Sequence, residues 1–135
     1  MHITQLIEQF ENCKLPKEKW NHEAHLRVAL YYLFNNDFYT ALSKVRCGII
    51  RYNASKETDN LCSNKYHETI TFFWCIKIQE FIESFVTEPL DKIEIELLKT
   101  HMKNSHFIEK YYEKKFLSTA EARAHFTPTK DTKLP

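Results

Sequence analysis

The chain has 135 residues, a formal net charge of +1, 43% hydrophobic and 14% aromatic residues, one glycine and seven histidines. That length and apolar fraction fit one domain with a true core, and they exclude disorder outside the ends. The balanced charge argues against a nucleic-acid module, and a single glycine excludes Gly-rich phosphate loops, the dinucleotide fingerprint and turn-rich barrels.

Leu6, Ile7 and Phe10 fall at helical spacing and predict a first helix over 2–13, which Lys14-Leu15-Pro16 ends. Asn21 is a natural N-cap for a second helix over His22–Leu33, whose apolar face carries His22, His25, Leu26, Ala29, Leu30 and Leu33. Asn35-Asn36-Asp37 breaks the pattern and recaps it. A third helix follows, striped by Ala41, Leu42, Val45, Ile49 and Tyr52. Gly48 lies inside that stripe, where glycine costs about 1 kcal/mol, so close helix packing is expected there.

Residues 53–65 are polar and aperiodic and read as one long loop, a length that usually accompanies a function. His67–Val86 then reads as the longest helix, with His67, Ile70, Thr71, Trp74, Ile78 and Phe81 on one side. Thr87-Glu88-Pro89 stops it and opens Leu90–Met102. Ser105 is expected to cap a sixth helix to Phe116, and Ser118-Thr119-Ala120-Glu121 reads as a capping box. From Thr127 the chain has no pattern. These elements predict a single all-α helical bundle of five to seven helices over 1–126, with a surface or loose tail over 127–135. The helices near residues 22 and 67 should form its centre.

Cys13, Cys47, Cys62 and Cys75 make no CxxC pair, the start lacks the charged-then-apolar signature of a leader, and no apolar run spans a bilayer. The expectation is a cytoplasmic protein with reduced thiols, with neither nucleic acid nor membrane as partner. Cys62, in the polar loop, is the one thiol placed near a functional motif.

Two segments carry chemistry. In Trp20-Asn21-His22-Glu23-Ala24-His25-Leu26 the two imidazoles are three apart and share an apolar helix face, so each needs a polar partner or an ion. In Tyr66-His67-Glu68-Thr69-Ile70-Thr71 a third histidine again leads an apolar stripe. If the two helix starts lie at one end of the bundle, His22, His25 and His67 converge. Three histidines with an open position can hold catalytic zinc or iron, with Glu68 or Glu23 as further ligand or general base. The competing possibility is a polar seam in which these histidines bond backbone groups. Arg46 and Arg51, flanking Gly48, suit either an anionic substrate or a salt bridge to a neighbouring glutamate.

At these residues the chain resembles a group of small helical bacterial proteins. Their members read aromatic-x-His-x-x-His-Leu, then Tyr-His-Glu-Thr-x-Thr, then Ala-Arg and a proline-bearing tail. The corresponding residues here are Trp20 to Leu26, Tyr66 to Thr71, Ala122-Arg123, and Pro128 through Pro135, so the resemblance covers about residues 20–135. It implies that the histidines belong to one unit, and it implies no particular reaction. Where relatives often carry glycine ahead of the Tyr-His pair, this chain has Asn64-Lys65.

Two readings follow. In the first, the protein is a metal-dependent enzyme of small molecules, a hydrolase or oxygenase. His22, His25 and His67 hold a divalent ion, Glu68 or Glu23 acts beside it, and Tyr66, Arg51 and Thr71 contact substrate. In the second, it is a non-enzymatic helical protein that grips a small ligand without metal. An oligomer is a third possibility, through an exposed stripe of Phe107, Tyr111 and Tyr112.

Overall fold

The computed structural model describes residues 1–56 and 65–135, so most of the expected 53–65 loop, Cys62 included, lies outside the described residues. Among the described residues every regular element is helical. These are α1 (Ile3–Glu11), α2 (His22–Asn35), α3 (Phe38–Ser55), α4 (Glu68–Glu83), α5 (Leu90–Leu97), α6 (Lys114–Leu117) and α7 (Ala120–Ala124), with 3-10 turns between some of them. None of these helices is long and apolar enough to cross a membrane.

Local chemistry accounts for the starts. The Asn21 side chain accepts from the Ala24 N–H at 2.9 Å and opens α2, and Asp37 accepts from the Thr40 N–H at 3.0 Å and opens α3. Helix α2 is central: its face of Leu26, Ala29, Leu30 and Leu33 is buried, and it packs against α1, α3, α4 and α5. An ion pair of Arg27 Nε with Glu94 Oε2 at 2.6 Å ties it to α5.

Three expected boundaries shift. Helix α4 begins at Glu68 and ends at Glu83, so His67 is its cap rather than its first residue, and α3, at 18 residues, is the longest helix. The helix expected from Ser105 to Phe116 divides into a 3-10 segment over Ser105–Lys110, capped by Asn104, and the short α6. Helix α7 is capped by Thr119, whose hydroxyl accepts from the Ala122 N–H, one residue later than the capping box placed it.

The stripe of Phe107, Tyr111 and Tyr112 is largely covered, with Phe107 and Tyr111 half-buried. Tyr112 is buried, Tyr111 packs 5.1 Å from the Phe73 ring and Phe107 packs 5.7 Å from Trp74, so α4 covers these rings within one chain. The tail is also docked. Phe126 stacks on Phe72 at 4.0 Å, the Thr127 carbonyl accepts from the Tyr112 hydroxyl, and the Thr127 N–H donates to Thr69 Oγ1 at 3.2 Å. Thr69 is fully buried and also donates toward the carbonyls of Ala122 (2.6 Å) and His125 (2.9 Å), which joins α4 to α7 and to the tail.

Gly48 has the expected cause. A Cβ built on it would stand 2.7 Å from the ring of Phe10, which is itself fully buried and stacked on Trp20 at 4.9 Å. The better helix propensity of alanine is therefore outweighed by overpacking. Gly48→Ala is expected to lose about 1 kcal/mol in urea unfolding rather than gain it. A stabilised variant would mean that Phe10 swings aside at no cost.

Candidate functional site

The first turns of α2 and α4 border the same cleft, so the two helix starts lie at one end of the bundle. A cavity of about 270 Å3 is walled by Leu26 and Ala29 of α2, Val45 and Ile49 of α3, and Ile70, Thr71 and Trp74 of α4, with Trp20 and the two histidines of α2 completing it. A second cavity of about 340 Å3 shares Trp20, His25, Ile49, Ile70 and Thr71 with the first, and adds Asn53, Lys65, Tyr66 and His67. Mostly apolar walls with a few polar groups are the composition of small-molecule pockets. Both tryptophans of the chain stand on the inner cavity.

Each histidine has its own assignment. The Asn21 carbonyl accepts from His25 Nδ1 at 2.7 Å. A carbonyl can only accept, so Nδ1 carries the proton and the lone pair sits on Nε2. That nitrogen has no hydrogen-bond partner among the described residues. The ring lies under Trp20 with centroids 3.8 Å apart. Burial, offset in part by the Asn21 bond and reinforced by His22 nearby, lowers the His25 pKa from 6.5 to about 4, so the imidazole is neutral at ordinary pH.

His22 donates from Nε2 to the Met102 carbonyl at 2.8 Å, with its ring 4.8 Å from that of Trp74. Its pKa is also lowered, mainly by burial. His67 is engaged at both nitrogens: Nδ1 accepts the Ile70 N–H at 3.1 Å as the cap of α4, and Nε2 donates to the Leu117 carbonyl at 2.8 Å. Burial again leads its lowered pKa, with Arg123 adding to it.

Three imidazoles that share an ion each need a free ring nitrogen. His67 has none in this arrangement, and among the described residues no group of three or more His, Cys, Asp and Glu side chains is arranged to hold a metal. The residues as placed do not fit a three-histidine centre.

The carboxylates expected as base or ligand stand elsewhere. Glu68 takes Arg46 in a two-pronged pair, Nε to Oε1 at 2.9 Å and Nη2 to Oε2 at 2.5 Å, and accepts the Tyr66 hydroxyl on Oε1 at 2.6 Å. Burial pushes its pKa up, but these donors outweigh burial and hold the carboxyl below its ordinary value. A carboxylate so satisfied is a poor proton acceptor; it joins α4 to α3. Glu23 lies in a separate surface cleft beside Glu18, Lys19 and Arg27.

Of the expected substrate contacts, Tyr66 and Thr71 line the cavities. Arg51 does not: it is exposed on α3, where its charge acts on Tyr32. The walls contributed by Trp20, Ile49, Lys65 and Trp74 were not singled out as binding residues. Ile49 and Trp74 belong to the ordinary apolar stripes of α3 and α4, which look the same whether they meet a core or a cavity, and Trp20 and Lys65 lie outside any helix.

The fold and these cavities define a protein that is all-helical among the described residues, with a half-open cleft bordered by α2, α3 and α4. No protein-family model, no curated protein and no solved structure matches the chain.

Proposed function

We infer that this chain binds a small, flat, largely apolar molecule in the chamber between α2, α3 and α4, without a metal. The observation that carries this reading is the ring nitrogen of His25 that has no partner among the described residues, on a ring that, unlike His22, borders both cavities. His25 is pinned by the Asn21 carbonyl and covered by Trp20, and it borders both cavities with a lone pair on Nε2. A neutral imidazole in an apolar chamber accepts a hydrogen bond well and fixes the orientation of a ligand carrying an N–H or O–H. Trp20 and Trp74 add apolar ring surface to the wall.

2-Naphthamide is a suitable neutral probe, since it is flat and carries an amide N–H. Calorimetry should show saturable one-to-one binding to the wild-type protein and a raised melting temperature. His25→Phe, which keeps a ring under Trp20 but removes the acceptor, should weaken binding about tenfold, the scale of one hydrogen bond from a buried site. No heat at millimolar probe, in a protein that melts cooperatively, would remove the reading.

The enzyme with zinc or iron on His22, His25 and His67 makes the opposite forecast. It needs His67 to release at least the Ile70 N–H before a ring nitrogen can ligate. Protein purified without a histidine tag is expected to carry well below one equivalent of zinc or iron, and chelator should leave its melting temperature unchanged. Stoichiometric metal that disappears in His67→Ala would instead establish the metal-dependent reading.

A further inference from the structure

The inner cavity carries a second imidazole whose role is fixed. The Met102 carbonyl, 2.8 Å from His22 Nε2, can only accept, so that nitrogen holds the proton and the lone pair of His22 sits on Nδ1. No group among the described residues donates to that Nδ1. His22 borders the inner cavity together with His25, and so does Trp74, against which its ring lies. The two imidazoles are three residues apart and so share one side of α2, close enough for His22 to act on the protonation of His25. Two backbone carbonyls, those of Asn21 and Met102, thus set two tautomers, and each tautomer leaves an acceptor over. A hydroxyl can turn between donating and accepting, but an imidazole held in this way cannot.

A ligand that displaces water from this cavity must replace the hydrogen that water gives to each nitrogen, since a buried acceptor left unpaired weakens binding about tenfold. A group with one hydrogen serves only one of the two. A single nitrogen with two hydrogens reaches acceptors about 5 Å apart, and side chains three apart on a helix are spaced by about 5–6 Å. A carboxylate, an ester or a ketone brings no hydrogen and sets its oxygens against the lone pairs. Building on the chamber-binding reading above, we propose that the ligand is a flat aromatic with a neutral NH2 group, a primary carboxamide or an arylamine, which gives one hydrogen to His22 Nδ1 and one to His25 Nε2. Trp20 and Trp74, which lie against the two imidazoles, wall the space for its ring.

The test pairs 2-naphthamide with 2-acetylnaphthalene, which has the same outline but a methyl group in place of NH2, by calorimetry on the full chain. The amide should bind wild type about a hundredfold tighter than the ketone, about tenfold from each acceptor. In His22→Phe or His25→Phe the preference should fall to about tenfold, and in the double variant the two probes should bind alike. Nitrogen NMR of the wild-type protein with isotope-labelled histidine reads the same contacts without a substitution. There 2-naphthamide should move both His22 Nδ1 and His25 Nε2 upfield, as nitrogens do on accepting a hydrogen bond, and 2-acetylnaphthalene should move neither. A preference that His22→Phe leaves unchanged, or a His22 Nδ1 signal that stays in place, would overturn the proposal while leaving the chamber reading intact. Equal affinities of the two probes for wild type would overturn the proposal and the role given to His25, but not the apolar chamber. Failure of both probes to bind would overturn the chamber reading, and this proposal with it.

Discussion

Acidification from pH 7.5 to 4.5 is expected to weaken the fold by about 3 kcal/mol, with the loss beginning near pH 6.5. The sign follows from His25. Its pKa is lowered from 6.5 to about 4 in the folded chain, first by burial, so between those values the unfolded chain binds a proton that the folded chain refuses. Stability is complete above the unfolded pKa and declines as pH falls toward the folded one. His22 and His67 are lowered in the same direction, again first by burial, and steepen the same window. Glu68, held below its ordinary 4.5, adds only at the acid end.

His67 contributes a second effect through its geometry. Protonation would place a hydrogen on the Nδ1 that accepts the Ile70 N–H, and so would uncap α4. Urea unfolding at pH 7.5, 6 and 4.5 checks the stability curve, and the ring proton shifts of His25 check its cause. A His25 midpoint near 6.5 would contradict the burial and bonding described for it.

The second large effect is expected at Thr69. Replacing it by valine keeps the shape and removes one hydroxyl, which serves the Ala122 and His125 carbonyls and the Thr127 N–H in a site with no exposure. Leaving such buried groups unpaired costs about 1–3 kcal/mol apiece, so Thr69→Val should lose about 3 kcal/mol. It should also speed trypsin cleavage after Lys130, because the tail loses one of the bonds that hold it. Thr69→Ser retains the hydroxyl and should lose only about 1 kcal/mol, the transfer value of one methyl group. If valine behaves like serine, Thr69 is not the clasp.

What could be read from the sequence divides along the range of the interactions. The Asn21 and Asp37 caps were legible because the acceptor and the N–H it satisfies lie three residues apart. The role of His67 was not. Its Nδ1 does the work of an asparagine cap, and its other partner is a backbone carbonyl 50 residues away, a group that no side chain announces. His22 reaches Met102 across 80 residues in the same way. Glu68 looked like a base because Arg46, 22 positions earlier, carried no mark of being its neighbour. The segment Tyr66 to Thr71 acts as one structural unit. Most of that unit holds α3, α4, α6, α7 and the tail together, and only Tyr66, His67, Ile70 and Thr71 also face the cavities.

The placement of Trp20 and Trp74 has an optical consequence. Every indole in the protein stands on the inner chamber, and one of them touches an imidazole that gains charge only at low pH. Emission from this protein therefore reports the state of one small volume rather than of the whole bundle. Helix content followed by circular dichroism and light emitted by the indoles are two separate gauges. A gap between them on heating or acidification would mark the chamber opening before the helices melt.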